Sequence, residues 1–101
     1  MQICKVVGTV VSTNKTEKLS GFKLLIVQPM ELSTFQPKNE FLVTIDTVGA
    51  GEGEVVMIVG GSSARQTEVT EGKPVDNAVV AIIDHVDILG EKVFDRTNVT
   101  D

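Results

Sequence analysis

Apolar and polar positions alternate with a period of two along most of this chain, the signature of half-buried strands. Ile3 to Thr13 carries two interleaved apolar sets, Ile3, Val7 and Val11 against Cys4, Val6 and Val10. Gly8 sits between them, where a strand commonly bulges or bends at a barrel corner. Phe22 to Gln28 predicts a second strand, with Phe22, Leu24 and Ile26 facing one way and Leu25 and Val27 the other. Pro29, which has no N–H to donate, is expected to end it. Phe41, Val43 and Ile45 mark a third strand whose opposite face carries Leu42, Thr44 and Asp46. The fourth, Glu54 to Val59, has Gly49, Gly51 and Gly53 before it and Gly60 and Gly61 after it. Glycine at both ends implies backbone in positive-φ or close-contact geometry. Val79 to Leu89 reads as one last long strand, with Val80, Ile82, Val86 and Ile88 on one face and Val79, Ala81 and Ile83 on the other, interrupted by Asp84.

The connections are polar. Residues 14–20 and 68–74 read as exposed loops, and residues 30–39, with Pro37, as an irregular crossing. Ser62 or Ser63 is placed to cap a short helical turn through Gln66, because serine accepts from the free N–H groups at a helix start. Gly90 turns the chain into a short segment around Val93 and Phe94, and Arg96 to Asp101 reads as a frayed tail. Five strands with one short helical turn predict an all-β fold, a small five-stranded barrel in one domain over residues 1–101.

One pattern does not suit a solitary barrel, which should alternate apolar-in with polar-out. Val6-Val7, Leu24 to Val27, Val55 to Val59 and Val79 to Ile83 are apolar on both faces, and the pattern predicts no long helix to cover the outside. Burying a Val, Leu or Ile side chain is worth about 1.5–3 kcal/mol, so several exposed together make an association site. Oligomerisation is the economical reading.

Composition narrows the function. The 101 residues carry a net charge of −5, and the aromatics are four Phe with no Trp or Tyr. Nucleic-acid and anionic-membrane binding call for a basic surface, and single-strand binders for aromatic platforms; neither is present. The single cysteine, Cys4, has no internal disulfide partner, which fits a reducing compartment. No secretion-signal layout or bilayer-length apolar run is read in the sequence.

Candidate chemistry is thin. Gly49-x-Gly51-x-Gly53 has Glu54 where a dinucleotide fingerprint needs its last glycine, and a strand follows in place of a helix; Glu52 and Glu54 would also repel phosphate. Gly60-Gly61-Ser62-Ser63-Ala64 distantly resembles a nucleophile elbow, with His85 and Asp87 as the available base and acid, but a polar strand histidine is the better reading. No ligand pair stands at zinc spacing, and no cofactor motif is found. Asp46 and Asp84 interrupt apolar strands and need partners if covered, and Arg65 is an available bidentate donor.

Almost the whole chain, up to about Leu89, resembles the EutN/CcmL family of bacterial microcompartment vertex proteins. The resemblance is carried by Met1 to Thr13, Gly21 to Gln28, Asp46 to Val56, Gly61 to Arg65, and Pro74 to Asp76 with Val79 to Asp84. Asn77 and Ala81 depart from it, where the family often has Ala and Gly, and about residues 90–101 form a variable C-terminal segment. The resemblance implies an OB-like barrel in a homopentamer, plugging the vertices of a cytoplasmic polyhedral shell tiled by hexameric shell proteins. It implies a structural role, without enzyme activity, cofactor, nucleic acid or membrane. Asp46, Gly49, Ala50, Gly51, Ser62, Ser63, Arg65 and Asp84 are the expected subunit-interface or five-fold-pore residues. An OB-like module binding a small ligand or oligonucleotide is the alternative.

Overall fold

The computed structural model describes residues 1–11, 22–60 and 76–98. The expected loops at 14–20 and 68–74, the capped turn at Ser62 to Gln66, and residues 99–101 of the tail lie outside these. Eight strands are described: β1 (Gln2–Val10), β2 (Lys23–Glu31), β3 (Gln36–Pro37), β4 (Leu42–Asp46), β5 (Val55–Gly60), β6 (Asn77–Ile82), β7 (His85–Ile88) and β8 (Glu91–Asp95), followed by one 3-10 turn at Arg96–Asn98.

Five of them close on themselves. The sheet order is β1-β5-β6-β4-β2, and β1 also pairs with β2, so the barrel has no free edge between first and last strand. All contacts are antiparallel except β4 with β6, where Ile45 lies beside Ala78 and Asp46 beside Val79. The two-residue β3 lies against the far end of β2. This is the expected five-stranded, OB-like all-β architecture.

β1 serves two neighbours. Gln2 to Lys5 pair with β5, and Cys4 to Val10 pair with β2. The register with β2 slips between Val6 and Gly8, the bulge that Gly8 signalled, and the added bend lets one strand reach both partners. The barrel interior is filled by Cys4, Val6, Leu25, Val27, Ala50, Val56, Ile58 and Val79, with Leu42 and Ile82 packed beside them. These are alternate positions on each strand, so the period-two faces read along β1 and β2 are the faces that sort inside from outside.

Three elements differ from the pattern. β2 runs through Pro29 to Glu31 instead of stopping. Pro29 faces Cys4 at the end of the β1 ladder and lies beyond the last β4 pair, Val27 with Leu42, so its missing N–H breaks no ladder bond. The predicted strand over Val79 to Leu89 is two strands. β6 leaves the barrel after Ile82, Ile83 donates a last N–H bond to the Val55 carbonyl at 2.8 Å, and β7 begins a separate hairpin with β8. The apolar periodicity continues across the break, which is why the sequence reads as one strand. Val55 to Val59 were expected to be apolar on an open outer face. Instead Val55, Val56, Ile58 and Val59 are all buried within the one chain, and Met57 is partly exposed.

Cys4 sits in the core, and its burial, with Glu40 adding to the effect and Lys38 opposing it, pushes the thiol up from 9.0 to about 11. The folded chain therefore keeps a proton that the unfolded chain releases near pH 9. Stability on this account is full below pH 9 and falls as the pH climbs to 11, by up to about 3 kcal/mol. Urea unfolding of wild type and Cys4→Ala across pH 8–11 should show this extra alkaline decline in the wild type alone.

Candidate assembly surface

The outer face of the barrel is set by β4. Leu42, Thr44 and Asp46 pair in register with Val27, Leu25 and Lys23, and Leu25 and Val27 point inward. The inward face of β4 is therefore its more polar one, and Phe41, Val43 and Ile45 face out. Ile45 is covered there by a second apolar cluster with Val59 and Ala78, against which Phe22, Leu24 and Val80 pack. Two residues back along the strand the cover ends: Val43 is 53% exposed and Phe41, just before the strand, is 63% exposed. Val48, in the loop that follows, is exposed as well. An inverted strand of this kind presents to water what a monomeric barrel would hide.

Beyond β4 the glycine loop closes one end of the barrel. Asp46 is buried, and its Oδ1 accepts the backbone N–H groups of Val48 at 3.1 Å and Gly49 at 3.0 Å, an Asx turn at the strand exit. Gly49 (φ 81°) and Gly53 (φ 90°) occupy the left-handed region that their positions in the loop require. Lys23 Nζ donates to the Ala50 carbonyl at 3.0 Å and lies 3.8 Å from Asp46 Oδ2, tying the loop to β2. Ala50 itself is fully buried in the barrel core, so the loop's outward surface is made by its neighbours and not by the Ala50 methyl.

Glu54 links this loop to the other end of the predicted set. Its Oε1 accepts the Gly51 N–H at 2.8 Å and its Oε2 accepts from Arg96 Nη2 at 2.7 Å. Arg96 also reaches Asp84 Oδ1 at 3.4 Å, and its backbone N–H bonds the Asp84 carbonyl at 2.8 Å. Asp84 is thus exposed and paired with Arg96, while Asp46 is buried and satisfied by its own turn and Lys23. Ser62, Ser63 and Arg65 lie outside the described residues. Of the eight expected site residues, Asp46 ends β4 and Gly49, Ala50 and Gly51 fall in the loop it anchors, and Asp84 joins them only through Arg96 and Glu54.

Lys23, Glu54 and Arg96 were not among the expected site residues. The spacing Asp46-x-x-Gly49 is an Asx-turn pattern, and Gly51-x-x-Glu54 places a carboxylate over the loop's N–H groups. Arg96 carried no such signal, because its partners Asp84 and Glu54 stand far from it in sequence.

Of the serine, histidine and aspartate weighed as a catalytic alternative, Ser62 and Ser63 lie outside the described residues. His85 and Asp87 are both exposed, with Nδ1 and Oδ1 3.5 Å apart. Among the described residues no group of three His, Cys, Asp or Glu side chains is gathered to hold a metal ion, and no helix is long and apolar enough to cross a membrane. Phe35 and Phe94 are stacked on each other, with centroids 5.2 Å apart.

These features define a class: a small closed β-barrel whose built surface is an outward apolar face. The chain belongs to the family described as ethanolamine utilisation protein EutN/carboxysome, whose model matches residues 1–84. It is 48% identical over 87 residues to the bacterial microcompartment shell vertex protein GrpN of Rhodospirillum rubrum, covering 86% of this chain and 97% of GrpN. It is 46% identical over 96 residues to the carboxysome shell vertex protein CcmL of Synechococcus elongatus, covering 95% of this chain and 96% of that one. The structure of Gloeobacter violaceus CcmL superposes with a TM-score of 0.91 at 39% identity, covering 97% of this chain and all of the other. A Rhodospirillum rubrum structure described as the GrpN pentameric microcompartment shell protein superposes with a TM-score of 0.79 at 47% identity, covering 88% of this chain and all of the other. The family match ends at residue 84, where the chain leaves the barrel for the β7–β8 hairpin.

Asp46 should be a structural residue of the loop first. Asp46→Ala strands two backbone N–H groups and is expected to cost about 1–3 kcal/mol in urea unfolding. Asp46→Asn, which keeps the accepting Oδ1, should retain most of that stability.

Proposed function

We propose that this chain is a structural vertex subunit of a bacterial microcompartment shell, one domain over residues 1–101 that assembles as a homopentamer in the cytoplasm. The observation that carries the reading is the near full-length match to GrpN, a vertex protein whose structure is described as pentameric. The inverted β4 supports it physically. A five-fold ring needs heterologous contacts, in which one patch meets a different patch on the next copy. Phe41 and Val43 supply an apolar patch of that kind, on the same outward face of the strand as the covered Ile45.

In this reading the glycine loop, with Asp46, Gly49, Ala50 and Gly51, shapes the edge of the patch, and Ser62, Ser63 and Arg65 contribute to the contact or to the five-fold opening. Asp84 contributes through its pairing with Arg96. Separate hexameric shell proteins tile the facets, and the pentamer supplies closure, with no catalysis, cofactor or metal of its own. The oligonucleotide-binding alternative is not favoured, because the chain is acidic and carries no Trp or Tyr, whereas such binding uses a basic groove and aromatic platforms.

Native mass spectrometry should give a ring of five, and a monomer that persists on concentration would overturn the reading. Val43→Asp, at an exposed outward position, should leave the unfolding midpoint of the barrel within about 0.5 kcal/mol yet lower the pentamer fraction sharply. Arg65→Ala should weaken association too; an intact pentamer at nanomolar concentration would remove that role. Co-expression with a hexameric shell protein should give closed shells, and elongated or open ones when this chain is omitted.

A further inference from the structure

The glycine loop is pinned along most of its length. Asp46 holds Val48 and Gly49, Lys23 holds the Ala50 carbonyl, and the Gly53 N–H donates to the Val6 carbonyl at 2.8 Å. Gly51 between them is held by Glu54. The Gly51 N–H donates to Glu54 Oε1 at 2.8 Å, and the Glu54 N–H donates back to the Gly51 carbonyl at 3.2 Å. A glutamate side chain has three rotatable bonds and loses that freedom on staying over one N–H. Its carboxylate is steadied there when the second oxygen is held as well.

The second oxygen is held from the far end of the chain. Arg96 Nη2 donates to Glu54 Oε2 at 2.7 Å, and the Glu54 side chain is only 24% exposed. A capped turn delivers the guanidinium. Asp95 Oδ1 accepts the Thr97 N–H at 2.9 Å and the Thr97 hydroxyl at 2.7 Å, and the Arg96 N–H donates to the Asp84 carbonyl at 2.8 Å. Arg96 Nη1 also reaches Asp84 Oδ1 at 3.4 Å, so two carboxylates share one cation in a chain of net charge −5. Without that cation they become like charges on either side of the space it filled, and repulsion favours turning Glu54 away from Gly51 and into water.

We propose that Arg96 is a positioning residue for the glycine loop. Acting through Glu54, it holds the Gly51 peptide in place, so the C-terminal turn and the loop after β4 change state together. Residues beyond 84, where the family match ends, thereby act on a loop that lies inside it. Coupling of this kind is reciprocal: displacing the hairpin loosens Gly51, and holding the loop steadies the hairpin. It lies within one chain and is independent of the pentameric reading.

Hydrogen exchange of single amides in the full-length assembled protein, followed by NMR, tests the coupling. Arg96→Met keeps the apolar stem and removes the charge, and should speed exchange of the Gly51 N–H about two- to fivefold, the range of a half-exposed ion pair. The Val6 N–H, bonded to the Glu54 backbone carbonyl at 2.9 Å, should exchange as in wild type. Glu54→Ala should also speed Gly51 exchange, and adding Arg96→Met to it should change nothing further, because the link is already cut. Unchanged Gly51 exchange in Arg96→Met overturns the proposal and leaves Arg96 an anchor of the hairpin alone. Equal acceleration at Val6 and Gly51 overturns it too, as a general loosening of the barrel. So does an Arg96→Met effect that persists undiminished in the Glu54→Ala background.

Discussion

Closure of the barrel through β1 is the constraint on which the other features rest. One strand pairs with β5 over its first half and β2 over most of its length, bent at the Gly8 bulge so that both ladders are satisfied. Closure removes the open edges that would otherwise template further strands. It also fixes which face of every strand looks inward. Once Cys4, Val6, Leu25 and Val27 occupy the interior, the in-register pairing of β4 with β2 leaves that strand no choice of orientation.

The inversion of β4 follows from this. A one-residue slip would turn Phe41, Val43 and Ile45 into the core and put Thr44 and Asp46 outside, the arrangement hydrophobicity alone would select. Register with β2 and the Asx turn on Asp46 hold the opposite one. Thr44 and Asp46 are accommodated at the closing end of the barrel, where backbone N–H groups and Lys23 meet the carboxylate, and the apolar side chains are left for the exterior. In that exterior, cover by the chain itself extends over Ile45, Val59 and Ala78 and stops at Val43. What a single chain leaves uncovered, a neighbour of the same kind is suited to cover, which connects the register of one strand to assembly.

A polar thread joins the two ends of the molecule. Glu54 holds the glycine loop with one carboxylate oxygen and the C-terminal hairpin, through Arg96, with the other. Arg96 is half-exposed, so the ion pairs themselves contribute modestly. Their part is geometric: they set where the hairpin departs from the barrel, at the residue where the family match ends. A two-stranded hairpin is marginal alone, and the aromatic stack of Phe94 on Phe35 supplies the apolar contact that keeps this one ordered.

The sequence by itself determined the five strands of the barrel and the two faces of β1 and β2. Alternation with a period of two is a local property, and each strand expresses it independently of the others. It also determined the bulge at Gly8, the positive-φ turn among the glycines, and, through motifs spread along the chain, the family. Tertiary structure decided which face of β4 looks inward, because pairing with β2 outweighs the strand's own hydrophobic preference. It decided that β2 passes through Pro29, because a proline beyond the end of a ladder costs no bond. It broke the long apolar run after Ile82, because the barrel was already closed and the chain had to leave it. The partners of Asp46, Glu54 and Asp84 were likewise decided in three dimensions. A buried carboxylate announces in sequence that it needs a donor, but Lys23 and Arg96 come within reach only when distant strands are brought together.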